Sequence, residues 1–61
     1  MVYAVKIKSG ENADLLYETD CVRDASAFRD DWAKLFGLAH DLFEVWCESS
    51  HNGFVNRWRV A

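Results

Sequence analysis

Four side chains in this 61-residue sequence carry the donor atoms of a metal site or a nucleophilic centre: two thiols and two imidazoles. They are Cys21, His40, Cys47 and His51. A zinc site would need such ligands in closely spaced pairs. The four residues are instead separated by 19, 7 and 4 positions, which matches no paired-ligand pattern. We therefore predict neither a metal site nor a cofactor.

The adjacent acids Asp30 and Asp31 are the other candidates for chemistry, as a general acid–base pair. Neighbouring residues on a helix point about 100° apart and do not share a proton. A catalytic set also needs a pocket that excludes water, and so short a chain has little volume for one. Cys47 is predicted to be a buried thiol and His51 a solvated residue at a hairpin tip. We predict no catalytic residue and no enzymatic activity.

The elements that position these side chains are clearest in the last third of the chain. Asn52-Gly53 separates two alternating runs, and this dipeptide favours a type I′ hairpin turn, in which both central residues have φ > 0. A two-residue loop fixes the register of the hairpin. The predicted pairs are His51–Phe54, Ser49–Asn56, Cys47–Trp58 and Val45–Val60 on one face, and Ser50–Val55, Glu48–Arg57 and Trp46–Arg59 on the other.

Two more strands are predicted near the start of the chain. Residues 2–8 alternate with Tyr3, Val5 and Ile7 on one face, and residues 14–22 alternate after a turn-rich stretch at 9–12. In the second strand we expect Leu15, Tyr17, Thr19 and Cys21 to face inward and Leu16, Glu18, Asp20 and Val22 to face outward. Two registers with a loop of three to five residues satisfy this pattern, and the sequence does not choose between them.

Between the two hairpins the spacing of apolar residues becomes helical. Apolar residues at 25, 28, 32, 35, 36 and 39 predict a helix from Ala25 to Phe36. Asp24 is the expected N-cap, Asp30 and Lys34 form an i,i+4 pair, and Gly37 ends the helix. The side chains expected to face the core are Ala25, Phe28, Trp32, Leu35 and Phe36.

These elements predict an α+β fold, a four-stranded, mainly antiparallel sheet with one helix on one face, in the order β-β-α-β-β. We expect residues 1–61 to form a single compact domain. One helix covers only one face of the sheet, so the other face must meet water or a partner. The residues expected on this open face are Val2, Ala4, Lys6, Lys8, Leu16, Glu18, Asp20, Glu44, Trp46, Glu48, Val55, Arg57 and Arg59.

The burial that this fold implies makes two tryptophans the largest predicted contributors to stability. Trp32 would face the sheet from the helix, and Trp58 would face the helix from the last strand. Replacing either with alanine is expected to cost about 3–5 kcal/mol, enough to unfold so small a domain.

Charge is unevenly distributed along the chain, whose formal net charge is −3. All the acids lie within residues 9–48, while the two ends carry only Lys6 and Lys8 or Arg57 and Arg59. No apolar run approaches the length of a membrane span, and the first residues lack the features of a signal peptide. We expect a cytoplasmic protein with no membrane partner and no small-molecule substrate.

The predicted open face is the candidate binding surface. Trp46 is expected there opposite Arg59 in a cation–π contact, and both residue types are enriched at binding hot spots. Acidic residues on the second strand and the helix could steer the chain into a basic groove of a larger protein. The predicted partner-binding residues are Glu18, Asp20, Asp30, Asp31, Trp46, Glu48, Arg57 and Arg59. The alternative to binding is that these groups only shield and solvate the sheet.

Two other uses of the surface stay open. If the first and last strands were neighbours, Lys6, Lys8, Arg57 and Arg59 would join into a basic patch beside Trp46, which would suit single-stranded nucleic acid. A nucleic-acid-binding accessory domain is therefore the alternative function. A homodimer formed through the open face or a sheet edge is also possible.

The whole chain resembles the very small α+β proteins that bacteriophages encode to disable host machinery, such as anti-CRISPR proteins and inhibitors of host RNA polymerase. The likeness rests on size, on the strands around the helix Ala25–Phe36, and on the acidic residues Glu18, Asp20, Asp30 and Asp31. The resemblance implies a stoichiometric inhibitor that binds a larger host protein or protein–nucleic-acid complex without a cofactor. It carries no residue-by-residue correspondence.

Overall fold

The computed structural model describes residues 1–61 and confirms the α+β fold in the order β-β-α-β-β. The elements are β1 (Val2–Ser9), β2 (Asn12–Thr19), α1 (Val22–Phe36), a short 3-10 turn (His40–Leu42), β3 (Phe43–His51) and β4 (Phe54–Arg59). The strands form one sheet in the order β2-β1-β3-β4, and every neighbouring pair is antiparallel. The edges of the sheet are therefore β2 and β4.

The β3–β4 hairpin has the predicted register. Asn52 and Gly53 have φ values of 51° and 82°, as a type I′ turn requires. The pairs from His51–Phe54 to Trp46–Arg59 are those that the turn predicts. The Val60 N–H also donates to the Val45 carbonyl at 2.8 Å, which extends the pairing past the end of β4.

The β1–β2 hairpin differs from the prediction. Its loop is the two-residue turn Gly10-Glu11, with Ser9 paired to Asn12, so the predicted loop of three to five residues is wrong. The register then shifts once between Val5 and Lys6. This shift is a β-bulge, which places two residues of one strand opposite one residue of its partner.

The bulge reverses the predicted faces of two leucines. Tyr17 pairs with Val5 and Leu15 pairs with Lys6, so Leu16 is the extra residue. Leu16 packs beside Tyr17 against the core under α1. Leu15 is 52% exposed and lies on the open face with Lys6. The predictions that Leu15 faces inward and Leu16 outward are therefore wrong.

The helix begins earlier than predicted, at Val22, so β2 ends at Thr19 and does not include Cys21 or Val22. Cys21 is the N-cap and makes no capping hydrogen bond with its side chain. Asp24, the predicted N-cap, lies in the first turn, where its Oδ2 accepts from the Thr19 hydroxyl at 3.5 Å. A carboxylate there still favours the helix through the partial positive charge of its N-terminus.

The far end of α1 follows the prediction more closely. Gly37 has a φ of 65° and its N–H donates to the Ala33 carbonyl, so glycine ends the helix as expected. Asp30, however, accepts from Nε and Nη2 of Arg29, both at 3.1 Å, and does not pair with Lys34. Neither helical segment has the length and apolar character that crossing a membrane requires.

The core lies between α1 and the neighbouring strands β1, β2 and β3. Only six residues are buried, which makes each of them important in so small a chain. Their side chains are apolar: Val5, Ala25, Ala33, Phe43, Val45 and Cys47. A row of aromatic rings extends this core along α1. Tyr17 stacks on Phe28 at 4.5 Å, and centroid distances of 5.2 and 5.0 Å continue the row to Trp32 and Phe36.

The helix leaves several predicted core residues exposed. Leu35 is 76% exposed and Phe36 55% exposed, so their predicted burial is wrong. Trp58 pairs with Cys47 on the helix-facing side as predicted, yet it remains 42% exposed. Every residue of β4 is exposed, because α1 packs mainly on β1 and β2. The helix-covered part of the sheet is thus β1, β2 and β3 as far as Cys47.

Candidate functional site

The most concave surface of the protein is a groove across the open face of the sheet, on the side opposite α1. It has a volume of about 570 Å³. The alternation of side chains along each strand brings residues of all four strands into it. The lining residues are Val2, Ala4, Lys6, Ala13, Leu15, Glu18, Trp46, Cys47, Glu48 and Arg57. We call this feature the open-face groove.

Trp46 is held in one orientation at the centre of the sheet. Its Nε1–H donates to Oε1 of Glu44 at 2.8 Å, and Nζ of Lys6 lies 5.9 Å from the ring centroid. Arg59 is opposite Trp46 in the register, but its Nε donates to the Ala61 carbonyl at 2.9 Å. The cation over the indole is therefore Lys6, and the predicted contact with Arg59 is wrong.

One rim of the open-face groove carries the predicted ion pair. Nε of Arg57 donates to Oε2 of Glu48 at 2.8 Å. This hydrogen bond, together with the negative charge of Glu48, raises the pKa of Arg57 above its ordinary value. A longer pair joins Lys8 and Glu44 at 3.9 Å. Glu18 lines the groove without an ion-pair partner, so it is the uncompensated acid of this surface.

The four basic residues of the terminal strands do not form one patch. β3 lies between β1 and β4, which separates Lys6 and Lys8 from Arg57 and Arg59 by two strand spacings, roughly 10 Å. The intervening β3 side chains on this face include Glu44 and Glu48, which pair with cations from both sides. The geometric condition for the predicted basic patch is therefore absent.

The predicted partner-binding residues fall on two sides of the molecule. Glu18, Trp46, Glu48 and Arg57 line the open-face groove, with Arg59 next to Trp46 in the register. The remaining three acids lie elsewhere. Asp30 and Asp31 are exposed on α1, across the sheet from Trp46, and Asp20 lies in the exposed bend after β2. One flat contact surface cannot include both Trp46 and the helix acids.

Sequence reasoning missed three residues that line the groove: Ala13, Leu15 and Cys47, which lies between Trp46 and Glu48 on β3. Ala13 and Leu15 reach the open face because the extra residue at Leu16 changes the phase of β2. Leu15 and Leu16 are both apolar, so the alternation of the sequence fits either phase equally well. No local signal in the sequence marks the bulge.

The groups that could carry other chemistry are dispersed or enclosed. Cys47 is buried, and its thiol donates to the Met1 sulfur at 3.7 Å, while Cys21 is half-buried. Tyr3 pairs with Cys47; burial first, and then the nearby thiols, raise the pKa of its hydroxyl. No three side chains among the histidines, cysteines and acids converge in a geometry that could hold a metal ion.

Comparison with known proteins gives no relative from which to transfer a function. No family model matches the chain, and no curated protein or solved structure matches it significantly. The groove and the charges around it are therefore the basis for a functional interpretation.

Proposed function

We propose that this protein is a non-enzymatic protein-binding module, an inhibitor of the phage-encoded type that binds a larger cytoplasmic host protein through the open-face groove. The observation that carries the proposal is the groove itself, which holds Trp46 and Leu15 beside the Glu48–Arg57 pair. Both cysteines are free thiols, the state expected in a reducing cytoplasm.

The composition of the groove supports a protein partner. Protein interfaces enrich tryptophan and arginine, and their strongest contributions come from anchors at the centre of the contact with polar groups around them. Trp46 is a preorganised anchor of this kind, because its indole is fixed by Glu44 and Lys6. Preorganisation lowers the entropy that binding would otherwise cost.

The charges support a basic partner surface. Glu18 is the acid of the groove that makes no ion pair, and the net charge of the chain is −3. A basic surface, such as a site that normally holds nucleic acid, would neutralise Glu18 and be steered toward the chain at low salt. The helix acids Asp30 and Asp31 contribute only to this long-range attraction, because they lie on the other side of the sheet.

The proposal is tested by partner capture from a bacterial lysate with variants of the two sides. Leu15→Lys and Trp46→Ala change the open-face groove, and the double variant Asp30→Lys/Asp31→Lys changes only the helix side. We expect the groove variants to lower the captured amount at least tenfold and the helix variant to lower it less than threefold. Circular dichroism checks that each variant is folded. Capture lost only in the helix variant would move the site to α1 and overturn the proposal.

The nucleic-acid function remains a second candidate in a reduced form. Lys6 lies over the Trp46 ring and Lys8 is on the same face of β1, so a stacking platform with two cations is still present. Binding of a fluorescent single-stranded oligonucleotide at rising salt tests this candidate. Binding that weakens with salt and is lost in Lys6→Glu supports it, while the absence of binding at low salt rules it out.

A further inference from the structure

The two edges of the sheet differ in how they are protected from pairing with another strand. β2 contains the bulge at Leu16 and the exposed acids Asp14 and Glu18, which are devices that discourage strand addition. β4 is regular in its pairing with β3, and its two charged residues are Arg57, which Glu48 of β3 neutralises, and Arg59. Its apolar side chains are exposed, Phe54 by 74% and Trp58 by 42%.

The free hydrogen-bonding groups of β4 follow from the hairpin turn. In a two-residue hairpin the residues next to the turn form a hydrogen-bonded pair, so Phe54 and every second residue after it bond to β3. The Val60 N–H, which donates to Val45, fits this alternation. The N–H and C=O groups of Val55 and Arg57 therefore point away from the sheet along its unpaired edge.

We propose that a second copy of this chain pairs with β4 in antiparallel orientation, about a two-fold axis at Asn56, to form a continuous eight-stranded sheet. In this register Val55 of each copy forms backbone hydrogen bonds with Arg57 of the other copy. Phe54 of each copy also lies opposite Trp58 of the other copy, on the helix side of the sheet. An aromatic pair across strands adds to the stability of a sheet.

The charges of β4 select this register from its neighbours. A two-fold axis perpendicular to the sheet keeps each face continuous, so residues pair only with residues of the same face. An axis at Arg57 would place two guanidinium groups opposite each other, which is unfavourable. An axis at Val55 would place Phe54 opposite Asn56 and lose the aromatic pairs. The axis at Asn56 sets Arg57 opposite Val55, while Glu48 of its own chain continues to neutralise it.

The exposed area makes the second copy a weak partner. Phe54 and Trp58 together leave on the order of 200 Å² of aromatic surface exposed in each chain. Four backbone hydrogen bonds would add to this contact. The area that it buries is still less than the total that stable complexes bury, about 1,200–2,000 Å². We therefore expect a dimer that forms at high concentration. Both open-face grooves would lie on the same side of this dimer, since the axis is perpendicular to the sheet.

The register is tested by a cysteine placed at the axis. In the proposed dimer the two Asn56 positions form a non-hydrogen-bonded pair with Cα atoms about 4.5 Å apart, within the range of a disulfide. Asn56→Cys should form a covalent dimer under mild oxidation, at least tenfold faster than wild type or Arg57→Cys. Cross-linking that is faster in Arg57→Cys, or equally slow in both variants, would overturn the register.

The dimer itself is tested by sedimentation equilibrium over a range of concentrations. Wild type should rise from 7.1 kDa toward twice that mass. Val55→Lys puts a cation opposite Arg57 of the second copy and should weaken association at least tenfold. Ala13→Lys, on the β2 edge, is the matched control and should associate like wild type. A wild-type mass that stays at one chain at millimolar concentration, or an unaffected Val55→Lys variant, would refute the dimer.

Discussion

The helix-covered part of the sheet and β4 are built from similar residues but have opposite environments. Phe43 is 2% exposed beneath α1, whereas Phe54 is 74% exposed on β4. Trp32 packs between two aromatic rings on α1, whereas Trp58 has its helix-facing side partly in water. A single short helix lies over β1, β2 and part of β3, and it leaves the outer strand β4 exposed.

This difference separates the residues that stabilise the fold from those available for contact. Burial of apolar surface is the main favourable term in folding, and here it is concentrated in a few residues under α1. β4 adds backbone hydrogen bonds to the sheet and leaves its side chains exposed. The open-face groove contains residues from both regions. β1 and β3 form its centre, while Leu15 and Arg57 come from the edge strands.

Two phenylalanine substitutions test the comparison most strongly. Phe43→Ala should lower the free energy of unfolding by about 3–5 kcal/mol, because it leaves a cavity in the core. That is enough to unfold a domain of this size. Phe54→Ala should change it by less than about 0.5 kcal/mol in dilute solution, because the ring is exposed. Urea denaturation followed by tryptophan fluorescence measures both. Equal losses in the two variants would show that β4 is covered in solution.

The tryptophans give a second matched pair with a smaller difference. Trp32→Ala should cost about 2–4 kcal/mol, somewhat less than expected from the sequence, because it removes the middle ring of the row along α1 but that ring is only half-buried. Trp58→Ala should cost about 1 kcal/mol, because much of its ring already contacts water. Thermal unfolding at low concentration compares the two. A larger loss for Trp58→Ala would mean that α1 reaches β4 in solution.

From the sequence, Trp58 was expected to stabilise the fold as much as Trp32. This expectation shows which part of the structure the sequence could not predict. The Asn52-Gly53 turn is a local signal, so the register of β3 and β4 and the face of Trp58 could be predicted. How far α1 extends across the sheet depends on the strand order, and the order depends on contacts distant in the sequence. The position of Leu16 in the bulge is decided in the same way, by packing against α1.

The candidate site was predictable to the same extent. Trp46, Glu48 and Arg57 lie on the open face because the local register of one hairpin puts them there. The separation of the basic residues, and the contact of Trp46 with Lys6, follow from β1 pairing with β3, which no pattern in the sequence specifies. Asp30 and Asp31 were assigned to the same binding surface as Trp46 only because they are acidic. The charge of a residue does not determine which side of the sheet it occupies.

A smaller effect is expected where α1 ends above the covered strands. Gly37→Ala should lower the free energy of unfolding by about 1 kcal/mol, because a side chain disfavours the left-handed conformation that Gly37 adopts at φ 65°. A Cβ at this position would meet no atom within 4 Å, so the loss would come from the backbone alone. Gly37→Asn is the control and should lose less, since asparagine tolerates this conformation. Equal losses, measured by urea denaturation, would contradict this account.

The smallest effect is expected at Leu35 of α1, which the spacing of apolar residues predicts to face the core but which is exposed in the structure. Leu35→Lys should change the free energy of unfolding by less than about 0.5 kcal/mol, because the side chain is 76% exposed and lysine is a good helix former. Ala33→Lys, two residues earlier and 3% exposed, should prevent folding, because the core has no space and no partner for an ammonium group. Circular dichroism distinguishes the outcomes. A large loss in Leu35→Lys would mean that α1 is rotated on the sheet and that Leu35 faces the core, as its spacing in the sequence predicts.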